Sequence, residues 1–483
     1  MDQQDLIIAT LVAYKVLLLG IGFWAARRVH NEGDFFIGGR GLGGFIAGMS
    51  YAASTSSAWV ILGFSGFVYS VGVAALWMIP GILGGYAVSW LWFGPRLRAE
   101  AESKGYVTLT DFLVGDGSGP YARLLAIGAA ILTAVCFTFY VAAQFDAAAT
   151  AFVSQFGMGF TNSVLLGAAI ILVYCLLGGF WAVSVTDALQ GMLMLAIAVI
   201  LPGCALVLAL DGSVTRELSF PTLSDWGGGH SGWVLLGFII GTMGVGLGAL
   251  GQPHLLNRLM AVKDDAARRR AFAYSMGWGI LVYAGMAILA LSARALSVQV
   301  TDGEALFYHM TSTIMPPVFA GLVIAAILSA IMSTVDSILL ASAGAVAHDT
   351  GLAKRFAGSE LLISRLTMSA IALLAVLLTL AAPASIFERV LFSWAALGAA
   401  FGPIVAIRVV GLEPSTRARF WAMLAGFGGA LLFSLAETLG EAGGIVAGLA
   451  RAPGDPFERV APWILPLFIL SISALRTRKA RHV

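Results

Sequence analysis

Thirteen times along this chain a run of about 20 largely apolar residues recurs, the length that crosses the hydrocarbon core of a bilayer as an α-helix. The runs cover approximately residues 5–26, 41–71, 74–95, 122–152, 163–180, 183–210, 231–253, 271–293, 314–346, 361–382, 385–408, 418–436 and 461–475. They take up so much of the 483 residues that only short connections remain, with no room for a soluble domain. In hydrocarbon every backbone polar group must be satisfied within the protein, which restricts such runs to helices. Composition agrees. Only 11% of the residues are charged, against about 25% in a soluble globular chain, and the mean hydropathy is +0.90. The expected fold class is an all-α integral membrane protein with about 13 transmembrane helices. The boundary between the fifth and sixth runs is the least defined, because LGGFWAVSVTD leaves room only for a very short turn.

Several function classes fall away. A net charge of +2 provides no basic field for nucleic acid. Cys136, Cys175 and Cys204 lie in apolar runs without metal-ligand spacing and are expected in the core or against lipid. The six histidines fall mostly in connections, where a solvated or interfacial setting is expected. Gly39-Arg40-Gly41-Leu42-Gly43-Gly44 superficially matches a dinucleotide loop, but no strand precedes it and a membrane helix follows. No HExxH, nucleophile elbow or phosphate loop is present, so an enzyme is not expected, nor an organic cofactor. The N-terminus is acidic ahead of its apolar run, the wrong polarity for a cleaved signal peptide, and reads as a first spanning helix with its tail outside.

The basic residues orient the chain. With the RTRKARHV end placed in the cytoplasm, all 28 Lys and Arg except Lys15, Arg216, Arg294, Arg389, Arg451 and Arg459 fall on the cytoplasmic side. That bias is what the positive-inside rule requires, and it predicts a multi-pass inner-membrane protein with its N-terminus outside. The segment 255–270, with Lys263 and Arg268 to Arg270, reads as a topology anchor against anionic lipid.

Two runs carry the material for a helix break. The second, GGFIAGMSYAASTSSAWVILGF, holds Ser54, Thr55, Ser56 and Ser57 at its centre. The seventh, GFIIGTMGVGLGALGQPH, has Gly244, Gly246, Gly248 and Gly251 leading into Pro253. Small residues in membrane helices ordinarily serve close packing. Here each run opens a set of five helices, residues 41–210 and 231–408, and an offset of five inverts the second set relative to the first. That is the plan of secondary transporters with a broken first helix in each half and a site at the midplane. The expectation is one transporter domain over residues 1–483, a LeuT-like 5+5 inverted repeat with an extra helix at 5–26 and two more at 418–475.

The ninth run, VIAAILSAIMSTVDSILLASAG, carries Ser329, Ser333, Thr334, Asp336 and Ser337 at three- and four-residue steps, one polar stripe on one helix. A carboxylate in a membrane helix is costly and points to function. Asp187 is a second acid of this kind and Asp146 a third, with a position near the outer interface as the alternative for Asp146. Hydroxyls and carbonyls freed at a break can replace the hydration shell of an alkali cation. The stretches Ala53–Ser57 and Ala330–Thr334 supply that chemistry, and carboxylates such as Asp187 suit a second cation or a proton.

These residues carry a family resemblance. FFIGGRGLGGFIAGMSYAASTSSAW, FTFYVAAQ, GGFWAVSVTDALQ, GLGALGQPHLLNRLMA and AAILSAIMSTVDSILLASAG, spread over most of the chain, resemble the sodium/solute symporter family, most closely its sodium/proline symporter branch. The resemblance implies a principal sodium site made by the carbonyls of Ala53, Ser56 and Ala330 and the hydroxyls of Ser333 and Thr334. Asp187, with Ser333, Asp336 and Ser337, would frame a second cation or proton site. Substrate would lie near Thr55, Ser57, Ala58, Trp59, Tyr140 and Gln144 on one side and Val245 and Ala249 on the other. Thr55 stands where the proline pattern has an acid, and Val245 and Ala249 stand where it has aromatics, which implies a roomier pocket.

The expected function is sodium-coupled uptake of a small organic solute, with L-proline or a related amino acid leading. Sodium is the co-transported ion and lipid the surroundings, with no nucleic acid and no obligatory protein partner. The alternatives are another carboxylate or a larger solute, and a proton-coupled transporter of the same fold. A transporter-like sensor is less expected, because the chain stops about eight residues after its last run.

Overall fold

The computed structural model describes residues 12–14, 16–21, 24, 32–176, 179–211, 224–355, 359–382, 385–438 and 444–481. Lys15, Arg27, Arg28 and Arg216 lie outside them. Among the described residues eleven helices are long and apolar enough to cross a membrane, and two shorter apolar helices bring the number to the expected thirteen. In chain order they are α1 (Val12–Ile21), α2 (Gly44–Val71), α3 (Val73–Lys104), α4 (Pro120–Ser154), α5 (Phe160–Val173), α6 (Phe180–Leu210), α7 (Gly232–Gly251), α8 (Asp265–Ala295), α9 (Gly321–Asp349), α10 (Leu361–Ala381), α11 (Ile386–Val409), α12 (Thr416–Ala436) and α13 (Pro456–Thr477).

Two helices overrun their apolar stretches. α3 continues past residue 95 because Arg96, Arg98, Glu100, Glu102 and Lys104 are good helix formers paired at four-residue spacing, with N···O distances of 3.6 Å (Arg96–Glu100), 3.0 Å (Arg98–Glu102) and 3.3 Å (Lys104–Glu100). It stops at Gly105, whose φ of 71° suits a glycine C-cap. α8 begins at Asp265, since the Asp264 side chain accepts the Ala267 N–H at 2.6 Å and caps a turn that hydropathy alone does not mark.

Burial separates a centre from a rim. The most apolar windows of α9, α2 and α11 are 94%, 89% and 83% buried, whereas those of α12 and α13 are 28%. α6 and α8 lie along α2, and α6 also lies along α9. Lipid is as apolar as a leucine core, so helices associate through close contact rather than through the hydrophobic effect. α3 and α7 show this: a Cβ on Gly246 would run into the Gly81 carbonyl, and one on Gly81 into the Met243 backbone.

Both expected breaks are present. Ser57 leaves the helix with φ 35° and ψ −168°, a left-handed conformation that costs a non-glycine residue about 1–3 kcal/mol, and a π-turn follows over Trp59–Phe64. α7 tightens to a 3₁₀ turn at Ala249–Gly251, and Gln252 is extended at φ −81°, ψ 113°. Pro253 then starts a short helix, Pro253–Ala261, in the position where its missing N–H does no harm.

The segment 255–270 is therefore a surface connection only in part: Lys263, Arg269 and Arg270 are exposed, and two of its arginines are not. Arg258 is 1% exposed and Arg268 5%, with the Arg268 guanidinium donating to the Trp90 carbonyl. Nearby, an ionic strap joins α3 to α11 and α12. Arg408 donates to Glu100 at 2.6 Å and lies 4.3 Å from the Phe112 ring centre, and Glu413 accepts from Arg408 at 3.2 Å and from Arg419 at 2.6 Å. Buried guanidiniums persist only where they are paired and hydrogen-bonded in this way.

Candidate functional site

The hydroxyl stripe of α9 meets the chain just before the α2 break. Ser333 Oγ donates to the carbonyls of Ala53 at 3.4 Å and Ala330 at 3.1 Å. Thr334 Oγ1 reaches the carbonyls of Ser54 at 3.3 Å and Ala330 at 3.1 Å. All five residues are fully buried. Three carbonyls and two hydroxyls thus converge, the hard-oxygen set that an alkali cation exchanges for water. Four of these residues are in the ligand set that the resemblance implies, and Ser54 enters the sequence reading only within the stretch Ala53–Ser57 at the break. The Ser56 carbonyl, also expected in this set, accepts the Trp59 N–H, which leaves its second lone pair, and the Ser56 hydroxyl lies 3.5 Å from Tyr86 Oη. The four-residue step from Ser50 to Ser54 puts both side chains on one face, where both reach Asp187, but it says nothing of the Ser54 carbonyl.

A second cluster adjoins the first. Asp187 Oδ2 accepts from Arg258 Nη2 at 2.7 Å, Ser50 Oγ at 2.7 Å, Ser54 Oγ at 3.2 Å and Ser337 Oγ at 3.3 Å. Arg258 also donates to Ser50 Oγ at 2.7 Å, Ser54 Oγ at 2.8 Å, Ser337 Oγ at 2.5 Å and the His254 carbonyl at 2.5 Å. Asp336 joins through Ser337, whose Oγ donates to its Oδ1 at 3.3 Å. The expectation of a second cation or proton at Asp187 thus meets a guanidinium already in place. The sequence places Arg258 among the basic residues of a cytoplasmic connection, because it follows the seventh apolar run.

A third group gathers at the break. The Ala58 N–H donates to Gln144 Oε1 at 3.2 Å, and the Trp59 N–H to Ser57 Oγ at 3.2 Å. Tyr140 Oη lies 3.5 Å from Ser57 Oγ, and Trp59 Nε1 donates to the Thr55 carbonyl at 3.2 Å. The Thr55 hydroxyl is turned back onto its own helix, donating to the Tyr51 carbonyl at 2.5 Å. Ser57, Ala58, Trp59, Tyr140 and Gln144 are therefore brought together. Gln144 Nε2 is buried without a hydrogen-bond partner, a donor free for a solute. Val245 and Ala249 are buried on α7, and Val245 borders a small cavity shared with Trp394. Trp394, 6.0 Å from the Trp59 ring centre, bridges the two sides and was not singled out from sequence.

One expectation is corrected and one alternative is decided. His254 is 1% exposed rather than solvated, its ring edge-on to Phe137 at 5.3 Å and Tyr140 at 6.4 Å. Asp146 faces Arg389 at 3.8 Å, in a cleft shared with Asp302, Glu304 and Ser385, apart from the cation cluster.

Two broken helices closing on a hydroxyl-bearing α9 are the architecture of a secondary transporter. Solved structures show the same fold. One is a Na+-coupled sialic acid symporter in a substrate-bound outward-open state (TM-score 0.75, 16% identity, 98% of each chain covered). Another is Mhp1, a nucleobase-cation-symport-1 family transporter in a closed conformation (TM-score 0.58, 15% identity, 92% of this chain and 96% of that one). The fold is LeuT-like and all-α. The Sodium:solute symporter family pattern matches residues 35–426. Among curated relatives, the osmoregulated proline transporter OpuE of Bacillus subtilis (strain 168) is 32% identical over 97% of this chain and 93% of its own. The sodium/proline symporter of Escherichia coli (strain K12) is 33% identical over 83% of this chain and 82% of its own. The chain belongs to the Sodium:solute symporter family. It is a multi-pass membrane protein that couples sodium to the movement of a small organic solute, and not an enzyme.

Proposed function

We propose that this protein takes up L-proline, or a closely related amino acid, together with sodium across the inner membrane. The observation that carries the coupling is the contact of Ser333 and Thr334 with the carbonyls of Ala53 and Ser54. Sodium bound there, with Ala330 and with Ser56 on the same segment, ties α2 to α9 and favours the outward-open state with the pocket ordered. The solute sits against Ser57, Ala58, Trp59, Tyr140 and Gln144, with Thr55, Val245 and Ala249 at its borders. A carboxylate accepts readily from the Gln144 amide donor, and the ring of proline packs against Trp59 and Tyr140. Residues 41–210 and 231–408 act as the two inverted repeats, α1 and the last two helices flank them, and the basic end faces the cytoplasm. Transport follows as one bundle rocks against the other.

A second reading, a larger solute, is favoured by Val245 and Ala249, which are smaller than the aromatic side chains that the proline branch has at those places. The deciding measurement is uptake of labelled proline into proteoliposomes under an inward sodium gradient, with the proton gradient collapsed. Sodium-dependent proline uptake is expected. Uptake that persists without sodium overturns the coupling. Sodium-dependent uptake of another solute, with proline inert, overturns proline alone.

A further inference from the structure

We infer that Arg258 is a built-in second cation: its guanidinium fills the oxygen cage of Asp187, Ser50, Ser54 and Ser337, so that one sodium ion, and not two, binds per chain. This rests on the sodium-coupled reading above and deepens it.

The cage has the make-up of a cation site. One carboxylate and three hydroxyls, from α2, α6 and α9, point at a single volume, and all four residues are at most 3% exposed. The occupant of that volume is Arg258, which sends Nη2 to Asp187 Oδ2, Ser54 Oγ and Ser337 Oγ, and Nε to Ser50 Oγ. An alkali ion and a guanidinium cannot both hold those oxygens, and the arginine is covalently attached. The break in α7 delivers it. Because the helix stops at Gln252 and restarts at Pro253, Arg258 sits on a separate short helix beside α2, one turn after His254, whose carbonyl it also holds.

Charge counting gives the same number. With both ionised, the buried carboxylates Asp187 and Asp336 face one guanidinium, leaving one formal negative charge to be matched. One sodium beside Ser333 and Thr334 neutralises it, whereas two would leave an excess positive charge in a low-dielectric interior. Asp336 Oδ2 and Asp187 Oδ1 are both buried with no hydrogen-bond partner, so each carboxylate keeps one oxygen unmatched beside the hydroxyls that face the break.

The test counts sodium ions on the purified full-length chain without any solute, so it does not depend on the substrate being proline. Radioactive sodium bound per chain is measured at constant ionic strength, with the Hill coefficient of sodium-induced thermal stabilisation as a second readout. Wild type is expected to bind one ion with a Hill coefficient near 1. R258Q, which leaves the carboxylate in its oxygen cage without a cation, is expected to bind two, with the coefficient rising toward 2. R258K keeps a positive charge in the cage and stays at one. The double variant D187N/R258Q removes both charges and also returns to one. Two ions on wild type, or one ion on a monodisperse R258Q, overturns the inference and leaves sodium coupling intact. If R258Q does not fold, the counts on wild type and the double variant decide, and two ions on either overturns it. No sodium response in wild type overturns the coupled reading, and this inference with it.

Discussion

At the scale of single residues, function here is a matter of which oxygens stand where two helices meet. Ser333 and Thr334 were legible because serine and threonine at consecutive positions of an apolar helix, with a carboxylate two or three residues on, have no reason to be there for packing alone. The role of Ser54, visible only as one hydroxyl of the cluster at the break, and that of Arg258 were not legible. Each belongs to a network closed by residues more than 70 positions away, and no local pattern encodes such a partner. The hydroxyl of Thr334 donates within its own helix and across to Ser54, so it is held in place before an ion arrives. Losing one hydrogen bond to a charged group costs about 1.5–3 kcal/mol, and each 1.4 kcal/mol is tenfold in affinity. T334A is therefore expected to raise the sodium concentration for half-maximal uptake by about tenfold or more, and S333A likewise, with L339A, on the same helix, as a reference. Sodium titrations of uptake check this, and unchanged half-saturation in both variants would place the cation elsewhere.

At the scale of elements, the apolar runs revealed where helices cross, and the Ser cluster and Gly ladder revealed where two of them break. The ends were less legible, because α3 and α8 continue through charged turns that caps and ion pairs hold. Nor did the glycines declare which partner they approach. Gly246 is the sharpest instance: its backbone lies against that of Gly81, and a side chain there meets a carbonyl that cannot rotate away. Overpacking typically costs about 1–3 kcal/mol, and contact with backbone puts G246V at or above the upper end. The variant is expected to melt well below wild type in detergent. G203A, where a Cβ meets nothing within 4 Å, is expected to melt at or slightly above the wild-type temperature. Equal melting of G246V and wild type would mean that α3 and α7 do not pack through these glycines.

At the scale of the whole molecule, charge does two jobs that composition cannot separate. Arg258, Arg268, Arg408 and Arg419 were counted in sequence as markers of one membrane side, yet each is buried and bonded inside the protein. The orientation argument thus leans on the exposed charges, such as Lys263, whose side chain is 50% exposed. Membrane insertion follows the basic residues flanking the spans, whichever later become buried, so the chain is still expected to hold its basic end in the cytoplasm. Single cysteines test this. Cys136 and Cys175 are buried and Cys204 is exposed on α6, so a C204S background removes the accessible native thiol. In whole cells, a membrane-impermeant thiol reagent is expected to label R451C, on the exposed turn before α13, and to label K263C only after the membrane is opened. Labelling of K263C in intact cells, with R451C protected, would invert the molecule. It would also reverse the side from which sodium reaches Ser333 and Thr334 in the outward-open state.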